Sequence, residues 1–292
     1  MQGLQEYIDK AAVLIEALPY IQSFRGKIVV VKYGGSTMDG AAADTVLKDL
    51  VFMELVGMKP VIVHGGGPAI TRRLAERGVE SRRVNGLRVT DAASMKVVEE
   101  TLFGEVNAAI VEEINDLGGQ AVAVSAKEAG IMHVRKHLAQ TPQGSVDLGF
   151  VGQVEHIDPE PLQRLIAKGG LPVIAPIGLG PEDASYNVNA DTAAGEIAAA
   201  LQAEKLVFLT DVKGILADPS QEGSLLSTVH VNDIDDLISD GTISGGMVPK
   251  VGACVKSVKS GVHKTHIIDG RIPHSMLLEF FTDEGIGTQI VQ

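Results

Sequence analysis

Val29-Val30-Val31-Lys32-Tyr33-Gly34-Gly35-Ser36 and Val61-Ile62-Val63-His64-Gly65-Gly66-Gly67-Pro68 share one design. Each is a run of β-branched residues that stops abruptly in glycines and is followed by a segment that reads as helix. Buried parallel strands have this composition. A backbone stripped of Cβ atoms lets a ligand come close. Bare amides at the carboxyl ends of two strands form an anion cradle, and Lys32 adds a point charge beside one of them. Polyoxygen anions, phosphates above all, fit such a cradle. Two tight strand-to-helix turns would need glycine as well, but two in one chain, one of them beside a lysine, favour phosphate.

The chain of 292 residues is 45% hydrophobic and 21% charged, as expected of a globular protein with a large core. Only 4% of residues are aromatic and there is no Trp, so the core must be built from Val, Ile, Leu and Ala. The net charge of −12 argues against nucleic acid and anionic membrane as partners. An anionic ligand then needs a local cluster of Lys, Arg and amides. The single cysteine, Cys254, excludes an internal disulfide framework and a cysteine-based zinc site, and a reduced, cytoplasmic setting is expected. The N-terminus lacks the basic start of a signal peptide. No apolar run approaches the roughly 20 residues needed to span a bilayer.

Outward from the two glycine-ended strands, strand and helix alternate. Residues 4–24 read as an amphipathic helix with Ile8, Ala11, Ala12, Ile15 and Leu18 on one face, which Pro19 should bend or break. Strands are expected at 28–32, 60–64, 120–124, 171–175, 205–210, 264–268 and near 286–291. Helices are expected at 40–57, 68–78, 91–117, 158–168, 190–203, 231–240 and 247–261. Residues 83–89 are strand-like with an Asn85-Gly86 turn signal, and 131–156 read as a hairpin region that could serve as a lid. The alternation predicts an α/β fold, a mostly parallel sheet between helices, with its crevice at the carboxyl ends of the strands. One domain with two lobes is expected, the seam near 178–183.

The familiar nucleotide fingerprints are missing: no Gly-x-x-x-x-Gly-Lys-[Ser/Thr], no Gly-x-Gly-x-x-Gly after a strand, and no Gly-x-Ser-x-Gly elbow. An NAD-dependent oxidoreductase fits the alternation but not the motifs. His133 and His137 lack the glutamate a zincin needs, and His263, His266 and His274 are too loosely spaced for a ligand set, so no residue is assigned to a metal. In Asn85-Gly86-Leu87-Arg88-Val89-Thr90-Asp91, Arg88 ends a strand-like run before a helix cap at Thr90 or Asp91. It is either a surface arginine or a planar fork for a substrate carboxylate. Tyr186-Asn187-Val188-Asn189-Ala190-Asp191 opens an alanine-rich helix; Asp191 could be its cap, but two asparagines and an aspartate exceed what a cap needs. Thr210-Asp211-Val212-Lys213-Gly214 ends another strand at the same crevice. In Gly245-Gly246-Met247-Val248-Pro249-Lys250, Lys250 opposes the helix dipole unless an anion sits there.

Together these segments resemble the amino acid kinase family, and within it the members that phosphorylate N-acetyl-L-glutamate in arginine biosynthesis. The resemblance covers nearly the whole chain; Asn85-Gly86-Leu87-Arg88-Val89-Thr90 and Asn187-Val188-Asn189-Ala190-Asp191 are its most specific parts. It implies a three-layer αβα sandwich with an extra N-terminal helix (1–26), an acetylglutamate-binding lobe (27–180) and an ATP-binding lobe (181–292). It implies that Lys32 and Lys250 stabilise the transferring phosphoryl group and that Asp191 holds both. Gly66, Gly67, Arg88 and Asn187 would bind acetylglutamate. Lys32, Gly34, Gly35, Thr210, Asp211, Lys213, Gly214 and Lys250 would bind ATP, with Mg²⁺ held mainly by the phosphates and the Gly66 amide as a further donor. The acceptor carboxylate is already ionised at pH 7, so no general base is required.

The N-terminal helix also resembles that of the arginine-inhibited members, in which such helices interlace dimers into a ring-shaped hexamer, a trimer of dimers. By the same resemblance Tyr20, Lys213, His266, Gly270, Glu279 and Gly285 would form a site for L-arginine as inhibitor. A PII-type signalling protein is a further partner the resemblance admits. The remaining alternatives are a kinase for carbamate, glutamate, aspartate or UMP, and a regulator that keeps the fold without catalysis.

Overall fold

Strand β1 (Ile28–Tyr33) seeds the sheet, and period-two alternation decides what each of its residues faces. Val29, Val30 and Val31 are all fully buried. Val30 packs into one hydrophobic layer with Ala194 and Val251, while Val29 and Val31 pack into the opposite layer with Leu47, Leu50 and Ile114. Lys32 shares the parity of Val30. This computed structural model describes residues 2–38, 40–142, 144–218, 220–221, 223–283 and 285–292.

In chain order the elements begin with helices α1 (Gln2–Glu16) and α2 (Leu18–Phe24), then β1, α3 (Gly40–Leu55), β2 (Lys59–His64) and α4 (Gly67–Glu76). A hairpin of β3 (Arg83–Val84) and β4 (Leu87–Arg88) precedes α5 (Ala92–Glu99), a π-helical stretch (Glu100–Asn107), α6 (Ala108–Asp116) and β5 (Ala121–Ser125). Next come β6 (Met132–Thr141), β7 (Gly144–Ile157), α7 (Glu160–Ala167), β8 (Leu171–Ala175), β9 (Ile177–Leu179) and β10 (Ser185–Asn187). The rest comprises α8 (Ala190–Ala200), β11 (Lys205–Thr210), β12 (Thr228–His230), α9 (Ile234–Ser239), α10 (Met247–Lys259), β13 (Lys264–Asp269), α11 (Ser275–Phe280) and β14 (Thr288–Val291).

Among the described residues the main sheet has eight strands in the order β12-β14-β13-β11-β1-β2-β8-β5, and only the β13–β14 pairing is antiparallel. The mostly parallel α/β sandwich expected from the sequence is present. β6 and β7 form the expected hairpin, but with β9 and β10 they close a small four-stranded barrel. Residues 83–89 are two short strands, because Asn85 (φ 50°) and Gly86 (φ 79°) make a tight turn between them.

The N-terminal helix breaks at Ala17, and Pro19 stands in the first turn of α2, where its missing N–H costs nothing. Phe24 lies edge-on to Phe280 at 5.3 Å, and Tyr20 against Phe281 at 6.4 Å, so α2 docks on its own subunit. α1 does not: Leu4, Tyr7, Ile8, Val13, Leu14 and Ile15 are all exposed in the single chain. Among the described residues, no helix is long and apolar enough to cross a membrane.

Candidate active site

At the carboxyl ends of β1 and β2 the two glycine loops come together. A Cβ on Gly34 would lie 3.2 Å from Gly65 Cα and 3.3 Å from Lys32 Nζ, so a side chain there would separate the loops. The Gly65 N–H is committed to Tyr33 O at 2.7 Å. A Cβ on Gly66 would reach 2.5 Å from Leu102 Cδ2 on the π-helical stretch, which presses on the loop from behind.

Asp191 is not a helix cap. Asn189 caps α8, accepting from the N–H groups of Asp191 and Thr192 at 2.9 and 3.0 Å, a contribution of about 1 kcal/mol. The Asp191 carboxylate is thereby released to grip two ammonium groups, Lys32 Nζ on Oδ1 and Lys250 Nζ on Oδ2, each at 3.0 Å. Burial alone would raise its pKa, but the two lysines outweigh burial and hold it below the ordinary carboxylate value. Lys250 also stands over the Phe208 ring, 5.8 Å from its centroid. The outcome is a fixed cationic pair at the sheet edge.

A cavity of about 360 Å³ opens beside that pair. Its lining includes Lys32, Gly35, Gly66, Gly67, Arg88, Asn187 and Asp191, so every residue the resemblance gave to the acetylglutamate site meets one space. Arg88 is buried and braced: Nη2 donates to Gly67 O at 3.0 Å and Thr71 Oγ1 at 2.9 Å, and Nη1 donates to Ser81 Oγ. Burial first, and Arg83 second, lower its pKa to about 10, so it stays cationic at neutral pH. Arg83 is a second guanidinium in the lining, tied to Gly86 O at 2.8 Å, and no motif in the sequence marks it. The cap at Asp91 is realised through the Ser94 N–H at 2.7 Å.

The segment expected to hold ATP lies at the end of β11, two strands' width from β2 along the same sheet edge. Thr210 does not face outward: its buried hydroxyl donates to Val212 O at 2.9 Å, closing the turn. Gly214 backs onto Thr288, where a Cβ would meet Oγ1 at 2.5 Å. Both shape the backbone rather than present side chains. Asp211 and Lys213 lie in the same turn, close to Asp269 and to Arg271, which chelates Asp269 through Nε (2.9 Å) and Nη2 (2.8 Å).

A second cavity of about 230 Å³ is lined by Tyr20, Phe24, Lys205, His266, Glu279 and Gly285 among others. His266 Nδ1 meets Glu279 Oε1 at 2.6 Å, and the Ile286 N–H donates to Oε2 at 2.9 Å. Tyr20 donates its hydroxyl to Asp283. Four of the six residues grouped as an effector site therefore converge, but Lys213 and Gly270 do not. β13 carries the chain from His266 to Gly270 at about 3.3 Å per residue, which puts Gly270 near the other end of the sheet, against Thr37. Lys213 lies with Asp269 at that far end. Lys205, held between Phe24 and Phe280 with Nζ 4.8 and 4.4 Å from their centroids, takes the vacated place in the lining.

The sequence model of the amino acid kinase family matches residues 27–269. The chain belongs to the amino acid kinase family. An acetylglutamate kinase of Pelotomaculum thermopropionicum is 53% identical over 97% of this chain and 98% of its own length. One of Moorella thermoacetica is 52% identical over the same shares. Among solved structures, N-acetylglutamate synthase of Neisseria gonorrhoeae, complexed with coenzyme A and N-acetyl-glutamate, superposes with a TM-score of 0.81 at 25% identity. That match covers 97% of this chain and 63% of the synthase. Within the family this kinase stands with the acetylglutamate kinases.

Proposed function

We propose that this kinase transfers the γ-phosphoryl group of ATP to the side-chain carboxylate of N-acetyl-L-glutamate, in arginine biosynthesis in the cytoplasm. One observation carries the reading: Asp191 grips Lys32 and Lys250 beside the cavity that holds Arg88. An acceptor carboxylate oxygen attacks the γ-phosphorus, the bond to the β–γ bridging oxygen breaks, and ADP leaves with the electron pair. No proton moves, which suits a site without a nucleophile–base pair. Work remains in bringing two anions together and spreading the charge of the transferring group. Lys32 and Lys250 do this from two sides, pre-positioned by Asp191. Arg88 takes the α-carboxylate of the acceptor, and Asn187 with the Gly66–Gly67 backbone its remaining polar groups. Both Asp191 oxygens are committed to lysines, so Mg²⁺ enters with ATP, on the phosphates. The acceptor side belongs to residues 27–180 and the ATP side to 181–292, with Asn187 and Asp191 reaching across.

ADP release measured over a panel of acceptors tests the reading. Acetylglutamate should give the highest kcat/KM; a higher value with carbamate, glutamate, aspartate or UMP would replace it.

Inhibition by L-arginine belongs to the same proposal. The exposed apolar residues of α1 want a cover, which interlaced helices of a hexamer supply. α2 sends Tyr20 and Phe24 into the second cavity, where Glu279 and Asp283 offer carboxylates to a cation. Arginine there would couple the position of the helix to the active site, typically by roughly 1–3 kcal/mol. Deleting residues 1–24 should yield an active dimer that arginine no longer inhibits. A truncated protein that remains hexameric and fully arginine-sensitive, by light scattering and inhibition curves, would refute this part.

A further inference from the structure

His64 ends β2 on the face of the sheet opposite Lys32. Its parity is that of Ile62, which packs with Leu47 and Ile114, whereas Lys32 shares the parity of Val30 on the α8 side. The imidazole is fully buried and both nitrogens are engaged. Nδ1 lies 2.6 Å from Gly65 O, and Nε2 lies 3.0 Å from Asn107 Nδ2. A carbonyl oxygen only accepts, so Nδ1 carries the proton; an amide nitrogen only donates, so Nε2 is bare. The Asn107 amide cannot be turned over, because the same Nδ2 donates to Val173 O at 2.9 Å. Its Oδ1 is left buried without a partner, the cost of making both donations. Burial keeps this histidine neutral at pH 7, its pKa lowered to about 4, so it is no general base for a reaction that needs none.

The peptide joining Gly65 and Gly66 is trans and planar, so its C=O and N–H point in opposite directions. Pinning Gly65 O on the α6 side turns the Gly66 N–H toward the α8 side, where Lys32 and Asp191 stand at the cavity. The geometry points to His64 as a positioning residue that aims the Gly66 N–H at the reacting oxygens, with Asn107 fixing its tautomer and the π-helical stretch pressing Leu102 against Gly66. The π turn is part of the device: widened turns recur at functional sites, and here the stretch delivers Leu102 to Gly66 and Asn107 to His64.

The inference rests on the proposed phosphoryl transfer, and its test separates the two. His64→Leu removes the donor to Gly65 O, while His64→Asn places an amide NH₂ near the position of Nδ1. With both variants shown folded by circular dichroism, His64→Leu should lower kcat by on the order of 10- to 100-fold while leaving the KM for ATP within about twofold, as expected of a misaimed donor. His64→Asn should recover most of that loss. Equal damage in the two variants, or full kcat in His64→Leu, overturns the assignment. Nitrogen-15 NMR of the unsubstituted protein decides it even if His64→Leu does not fold. A neutral, Nδ1-protonated His64 at pH 7 is expected, and an Nε2-protonated or doubly protonated ring overturns it. If the protein does not phosphorylate acetylglutamate, the function falls while the tautomer measurement still decides what His64 holds.

Discussion

Asp191→Asn should lower kcat for acetylglutamate phosphorylation by on the order of 10³-fold, with much smaller changes in either KM. The amide can accept from one ammonium through Oδ1, but its NH₂ faces the other, and the charge that holds Lys32 and Lys250 3.0 Å away on either side is gone. Both lysines are largely enclosed, with 13% and 18% of their side chains exposed, so solvent does not replace the lost partner. Lys32→Ala and Lys250→Ala should each cost about 10²–10³ in kcat, since each removes a donor used mainly in the transition state. Steady-state kinetics with both substrates varied would measure this, and near-wild-type turnover in any of the three removes the assignment.

Arg88→Lys should raise the KM for acetylglutamate by about 10²-fold or more while leaving that for ATP nearly unchanged. An arginine fork held by Gly67 O, Thr71 and Ser81 presents its remaining donors in one plane. A lysine keeps the charge but supplies no bidentate grip, and it abandons three bracing contacts in a buried position. Discrimination that depends on a paired buried polar group commonly amounts to several powers of ten. An equal effect on both substrates would place Arg88 on the phosphates or make it purely structural.

Much of the fold was legible because its strands are written in Val, Ile and Leu with glycine stops. β1, β2, β8, β11 and β13 fall within a residue or two of where the sequence puts them. β9 and β10, three residues each, carry too short a pattern to see, so the closure of the small barrel was not anticipated. The π-helical stretch is indistinguishable from ordinary helix in the sequence, since no residue type separates i→i+5 from i→i+4 bonding. At the site, the glycine loops, Lys32, Arg88 and Lys250 were visible, but whether Asp191 was cap or functional group was not. That answer required seeing Asn189 take the cap. Lys213 and Gly270 join His266 in the effector set by resemblance alone; the turn after β11 and the length of β13 carry both to the opposite end of the sheet. Arg83, Asn107 and Lys205 gave no signal, because each acts through a partner more than 20 positions away or through a turn geometry that composition does not reveal.

If a carboxylate of acetylglutamate receives the phosphoryl group, the product is an acyl phosphate that hydroxylamine can trap. An acyl phosphate reacts with hydroxylamine to a hydroxamate, whereas a phosphate ester or phosphoramidate does not. The protein with MgATP and N-acetyl-L-glutamate should form ADP and acetylglutamyl hydroxamate in equal amounts. ADP formation without hydroxamate would contradict phosphoryl transfer to that carboxylate.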